Sequence, residues 1–249
     1  RKDNVCVFLQ IAYINMMGKS KSIGIIGGMG PLASCDLYQK IILNTKATCD
    51  NDHVRVFIDS NPKIPDRTKA ILYGGESPLD MLIESARKLQ SVGADIIIIA
   101  CNTSHYYIEE IRSSVNVKVL SIIEETLAEV KELGINNVVL FATTGTIKSK
   151  LYQNVFKNND IDIIIPDEMD QEIVMDVIYK GIKDQNNQFN IYKFENLVHK
   201  MEEKGAEAII LGCTELPIAT EIFHLNGNFI DPSLILAQAA IREVGAEVI

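Results

Sequence analysis

Two cysteines mark where this sequence could do chemistry. Cys101 follows the apolar run Asp95-Ile96-Ile97-Ile98-Ile99-Ala100 and opens Cys101-Asn102-Thr103-Ser104-His105. Cys213 follows Ala208-Ile209-Ile210-Leu211-Gly212 and opens Cys213-Thr214-Glu215-Leu216, an offset of 112 residues from 101 to 213. A residue just past a buried strand and just before a helix sits where parallel α/β sheets bind ligands. Backbone N–H groups and a helix N-terminus there favour negative charge, so a thiol gives up its proton more easily. One thiolate could take a proton from a carbon while an opposing thiol delivers one to the other face, which inverts a stereocentre. Taken singly, each cysteine reads better as a buried structural thiol, because free Cys is among the most buried residue types. Recurrence at equivalent positions turns the reading toward chemistry.

The elements that must position this pair recur with it. Ser91-Val92-Gly93-Ala94-Asp95 aligns without a gap on Glu203-Lys204-Gly205-Ala206-Glu207, and Leu82, Leu89 and Ile97 fall on Phe194, Met201 and Ile209. One unit therefore occurs twice: an amphipathic helix, a glycine stop, a buried strand and a cysteine. A repeat this long suits two related lobes rather than a solenoid. Strands are predicted at 21–26, 54–59, 96–100, 117–120, 137–141, 162–165, 208–211 and 229–231, separated by helical patterns such as 33–45, 79–92, 122–133, 170–181, 192–204 and 233–244. Alternating strands and helices predict right-handed βαβ units and mainly parallel sheets. The expected architecture is α/β, with two pseudo-symmetric doubly wound lobes and the active site in the cleft between them. The expected division gives residues 19–117 and 228–249 to the first lobe and 118–227 to the second. Residues 1–18 read as an upstream extension outside the fold, with 5–14 too short for a membrane span.

Composition narrows the partners. The chain has 249 residues, 24 Lys and Arg, 33 Asp and Glu, and a net charge of −9. An acidic chain without a basic stripe argues against nucleic acid and against an anionic membrane. The five cysteines (6, 35, 49, 101, 213) are scattered with no CxxC, and the histidines form no ligand spacing, so no metal is expected. Free thiols suit a reducing, cytoplasmic compartment.

Several loops could supply a small anionic substrate with partners. Gly28-x-Gly30-x-x-Ala33 formally matches a dinucleotide fingerprint. However, Pro31 removes one N–H donor and the next strand places its acidic residue late, so close approach to a small carboxylate is the better reading. Asn61-Pro62-Lys63-Ile64-Pro65-Asp66-Arg67-Thr68 is stiffened by two prolines, which would hold Arg67 for bidentate carboxylate capture. The competing reading is a surface arginine paired with Asp66. Thr143-Thr144-Gly145-Thr146 occupies in the second lobe the place of the glycine loop in the first. His105 reads either as an orienting partner of Cys101 or as a satisfied helix residue.

Gly27-Gly28-Met29-Gly30-Pro31, Asn61-Pro62-x-Ile64-Pro65-Asp66-Arg67-Thr68, Cys101-Asn102-Thr103, Gly145-Thr146 and Gly212-Cys213-Thr214-Glu215 occur in that order. Together they resemble the aspartate/glutamate racemase family, its aspartate branch in particular, over about residues 21–245. The resemblance implies racemisation without a cofactor by Cys101 and Cys213, in a homodimer. It also implies that Asn102, Thr103, Thr146 and Thr214 hold the substrate's α-amino and α-carboxylate groups, that Met29 lines the substrate site, and that Arg67 anchors a side-chain carboxylate with help from Lys183. The substrate would be an amino acid with such a carboxylate, aspartate first and glutamate or a broad range second. Hydantoin racemase and maleate isomerase chemistry share the two-cysteine scaffold, and a non-catalytic amino-acid-binding protein is the reading from another class.

Overall fold

The computed structural model describes residues 20–186 and 188–249. The expectation for residues 1–18 lies outside the described residues.

Two four-stranded sheets organise the chain. The first has the order β2-β1-β3-β4, from β1 (Ser22–Gly27), β2 (Arg55–Ser60), β3 (Ile96–Ile99) and β4 (Lys118–Val119). The second has the order β6-β5-β7-β8, from β5 (Asn137–Ala142), β6 (Asp162–Ile164), β7 (Ala208–Gly212) and β8 (Phe229–Ile230). Every pairing within the two sheets is parallel. The strand order is the same in both, as a duplicated unit requires. The central strands β1, β3 and β7 are buried at every residue, which is why they read as unbroken apolar runs.

The repeat has a local physical cause. Gly93 and Gly205 take φ of 99° and 88°, a region that favours glycine. After each, the next amide reaches back into the preceding helix: Ala94 N–H to the Leu89 carbonyl at 3.0 Å and Ala206 N–H to the Met201 carbonyl at 3.2 Å. The paired positions Leu82 and Phe194, and Leu89 and Met201, are all buried. Each helix is thereby stopped and turned so that the following strand delivers its cysteine to the same edge of its sheet.

One core cluster joins the lobes. It takes Ile23, Ile25, Ile96 and Ile98 from the first sheet and Val138, Leu140, Ala208 and Ile210 from the second. Residues of the helices Ile122–Glu132, Leu151–Lys157 and Pro232–Glu243 belong to it as well. The C-terminal helix packs against both Pro31–Asn44 and Ile122–Glu132.

The two shortest strands fall on the other side of the expected lobe boundaries. β4 pairs with β3, Ile96 opposite Lys118, so the first sheet runs past residue 117. β8 pairs with β7, Ile209 opposite Phe229, so the second sheet runs past residue 227. In both cases a short helix after the cysteine returns the chain to the strand it has just left, the usual behaviour of consecutive elements. It is the helices after β4 and β8, not those strands, that carry the chain across to the joint.

Two further elements differ from the sequence reading. Arg67 is not in a loop: it opens the helix Arg67–Tyr73, and Asp66 caps that helix by accepting from Lys69 N–H at 2.8 Å. The helix Glu168–Asp176 continues as a π-helical segment, Val177–Lys183, with Tyr179 and Lys183 on it. Such segments recur at functional sites because they re-aim side chains that a regular helix would direct elsewhere.

Candidate active site

The carboxyl ends of β1, β3, β5 and β7 converge on one small cleft. Its walls are Met29, Asp66, Arg67, Thr68, Cys101, Asn102, Thr103, Thr143, Tyr179, Lys183, Cys213, Thr214 and Glu215. Cys101 and Cys213, one from each lobe, are 5% and 6% exposed, so neither is an open surface thiol. Of the residues expected from the sequence, Thr146 alone is outside the wall. It is buried behind Thr103 and Thr143, 2.9 Å and 3.2 Å from their hydroxyls, and Thr143 stands in the wall instead.

The glycine loop is built for close approach, but not to a dinucleotide. Gly28 has φ of 91°, and a Cβ there would lie 2.3 Å from the Asn61 backbone. Its N–H donates to Ser34 Oγ at 2.9 Å. Gly30 N–H donates to Glu215 Oε1 at 3.2 Å, from the first lobe to the second. The Gly28 and Gly30 N–H groups, which a phosphate would need, are thus engaged internally. The loop does meet a carboxylate, and that carboxylate is Glu215.

Arg67 is held by its backbone surroundings. Its guanidinium donates to the carbonyls of Ile64 at 3.3 Å, Pro65 at 3.1 Å and Met29 at 3.3 Å. Its Nε is buried without a hydrogen-bond partner among the described residues. Burial opposes its charge, but Cys101 and Asp66 outweigh it and raise its pKa.

Cys213 sits in a different field. Its Sγ donates to Glu215 Oε2 at 3.0 Å, which also accepts from Thr214 Oγ1 at 3.3 Å. Burial first, and then the Glu215 charge, push the Cys213 thiol well above its ordinary pKa, against the pull of Lys183. Lys183 Nζ forms an ion pair with Glu215 Oε1. Burial opposes the Lys183 charge, and Glu215 and the two cysteines more than restore it, so its pKa is raised. Tyr179 Oη donates to Asp66 Oδ2 at 3.4 Å, and burial pushes its pKa up to about 12.

Behind the wall, two buried groups hold the residues next to Cys101. Tyr152 Oη donates to Asn102 Oδ1 at 2.6 Å. This orients the amide, whose Nδ2 is buried with no partner among the described residues. Asn102 therefore offers a free N–H pair in the cleft. We expect Tyr152→Phe to leave Oδ1 unpaired and to destabilise the fold by about 1–3 kcal/mol, measured by denaturant titration. The kcat/KM for the substrate should fall with it as the amide loses its fixed orientation.

His105 is the second such group. The Ile122 backbone N–H can only donate, and it donates to His105 Nε2 at 3.1 Å. Nδ1 must therefore carry the proton that it gives to the Cys101 carbonyl at 2.9 Å. His105 thus ties the cysteine loop to the start of the helix Ile122–Glu132. Burial lowers its pKa to about 4. A depressed pKa means that the unfolded state binds the extra proton first. The stabilisation is complete above about pH 6.5 and is lost as pH falls through about 4, amounting to about 3 kcal/mol. Urea midpoints between pH 7 and pH 4 should show this slope, and the His105→Gln chain should lack that part of it.

A family model described as Asp/Glu/hydantoin racemase matches residues 26–240. The chain belongs to that family. Its similarity to the aspartate racemase of Picrophilus torridus is 32% identity with a TM-score of 0.83, over 92% of this chain and 96% of that one. An aspartate racemase homologue from Pyrococcus horikoshii OT3 gives 26% identity and a TM-score of 0.73, over 90% and 99%. The broad specificity amino-acid racemase RacX of Bacillus subtilis (strain 168) is 29% identical over 231 residues, 88% of this chain and 96% of that protein.

In this member of the racemase family the cleft is tightly closed. The free volume between the walls is about 10 Å³. That is room for about one water molecule, so an amino acid enters only if the walls part. Sequence reasoning missed Glu215, Asp66, Thr68 and Tyr179 as wall residues and singled out Thr146 rather than Thr143 from their shared loop. Two of those missed had usable signals. Glu215 ends the Gly-Cys-Thr-Glu motif, and Tyr179 lies one turn before Lys183. Among the described residues no cluster of His, Cys, Asp and Glu is arranged to hold a metal ion, and no helix is long and apolar enough to cross a membrane.

Proposed function

We propose that this chain interconverts the enantiomers of a free amino acid with a side-chain carboxylate, aspartate first. The observation that carries the reading is the pair of buried cysteines, one from each lobe, in a wall that also holds Arg67 and Lys183. Cys101 and Cys213 act as the two bases: the thiolate of one takes the α-proton, and the thiol of the other protonates the opposite face of the carbanion. The weak acidity of the α-carbon is the chemical difficulty. Asn102 Nδ2 and the hydroxyls of Thr103 and Thr143 provide donors for the α-carboxylate as charge develops on it, in a site from which water is excluded, with Thr214 beside them. Arg67 and Lys183 take the distal carboxylate. The enantiomer bound decides which of the two thiols is charged. No cofactor is needed on this reading. The enzyme works as a homodimer in the cytoplasm, a compartment that suits four described cysteines that are all free.

A broader range is the second reading, favoured by the similarity to RacX of Bacillus subtilis. A single methylene is discriminated by only about 1–3 kcal/mol. Proton NMR of L-aspartate with the protein in deuterated buffer, without pyridoxal phosphate, tests both readings. Loss of the α-proton signal, with D-aspartate found by chiral chromatography, supports the first. Exchange with glutamate or neutral amino acids at equal rates supports the second. No exchange with any amino acid refutes both.

A further inference from the structure

Glu215 is a charged group in the cleft that the two-base scheme leaves unused, in direct contact with one of its thiols. Its two carboxylate oxygens face different ways. Oε2 accepts from the Cys213 thiol at 3.0 Å, and Oε1 is held by Lys183 Nζ and by Gly30 N–H at 3.2 Å. Glu215 itself is 3% exposed. A buried carboxylate in contact with a thiol proton is a base in position. A carboxylate neutralised by an ammonium in a dry cleft, however, has little tendency to take a proton. Lys183 is also a cation that a distal substrate carboxylate would seek. With about 10 Å³ free, a dicarboxylate enters only if the walls part, and Lys183 and Glu215 are among the groups that line that space.

We propose that the Lys183–Glu215 pair is a switch read by the substrate: a distal carboxylate captures Lys183, and the released Glu215 takes the proton of Cys213. This rests on the racemase reading of the cleft and adds to it how the substrate's side chain controls reactivity. The balance is simple. The S–H bond of Cys213 breaks, an O–H bond forms on Glu215 Oε2, and the electron pair stays on sulfur as thiolate. Net charge within the site is conserved in this step. Selectivity for acidic amino acids then arises partly in kcat, because a substrate without a distal carboxylate leaves Glu215 paired and Cys213 protonated. A residue that only bound the carboxylate would act in KM alone.

Succinate tests the switch without turnover, since it carries both carboxylates and has no amino group or stereocentre. Adding it to the wild-type chain should raise the ultraviolet absorbance of thiolate. The Cys213→Ser and Glu215→Gln chains should lack that rise. No rise in the wild type, or a rise that survives in Glu215→Gln, overturns the proposal. Kinetics provide a second measurement. In Lys183→Met the kcat advantage of aspartate over alanine should shrink by at least about tenfold. An unchanged ratio of the two kcat values, with only the KM for aspartate raised, also overturns it. If succinate raises the thiolate signal but no amino acid exchanges its α-proton, the switch stands and the racemase reading falls.

Discussion

Replacing Cys101 or Cys213 by serine should lower kcat for racemisation by about 10²–10⁴-fold, and the double variant should lose little more than either single one. Proton transfer by a positioned side chain is worth that much in rate. A serine hydroxyl has nearly the same shape as the thiol but is far too weak an acid to supply a thiolate-like base at neutral pH. On the proposed two-thiol scheme each thiol is base for one enantiomer and acid for the other, so losing either one would interrupt both directions. Groups that act as a unit are strongly non-additive when removed together. Both side chains are buried, and the substitution keeps their volume, so the fold should survive in urea titration. A double-serine variant with undiminished turnover would falsify the two-thiol mechanism. A covalent adduct on one cysteine, seen by mass spectrometry with the wild type, would point instead to nucleophilic chemistry of the isomerase kind.

The positions of these two cysteines were legible in the sequence because they depend on local rules. Four consecutive β-branched isoleucines just before Ala100 and Cys101, bounded by Gly93, read as a strand buried on both faces, and they form one. The glycine stops at Gly93 and Gly205 fix where each strand begins, and strand polarity fixes which end carries the ligand. The match of Leu82 to Phe194 and of Leu89 to Met201 reported a common buried face. What the sequence did not disclose is long-range. Gly30 meets Glu215 from 185 residues away, and Tyr152 meets Asn102 from 50. Hydrophobic periodicity reports which face of an element is buried, not which polar atom will lie opposite it. The π-helical segment was equally hidden. Its apolar residues Val177, Ile178 and Ile182 fit an ordinary helix, and only the backbone shows that Lys183 lies on a continuing turn, with its ammonium against Glu215. β4 and β8 were placed in the wrong lobes for a related reason. Two residues make too short a pattern to choose a partner sheet, and the pairing is decided by the helix before them.

Arg67→Lys should lower kcat/KM for aspartate by about a hundredfold, about 2.7 kcal/mol, although it keeps the charge. The native guanidinium spans three carbonyls, those of Ile64, Pro65 and Met29, and retains a buried Nε–H with no partner. An ammonium offers donors around a single point and cannot reach all three oxygens while presenting another N–H to a substrate carboxylate. The carbonyl of Met29 belongs to the glycine loop that also meets Glu215, so part of the effect reaches Cys213 through Gly30. Alanine separates the contributions. If Arg67 grips the distal carboxylate, its loss falls on aspartate and the ratio of aspartate to alanine exchange collapses. If Arg67 only braces the Ile64–Pro65 turn and the glycine loop, both substrates lose equally and the ratio is unchanged. Measuring the two exchange rates side by side in Arg67→Lys, with the urea midpoint as a control for folding, decides which role the guanidinium has.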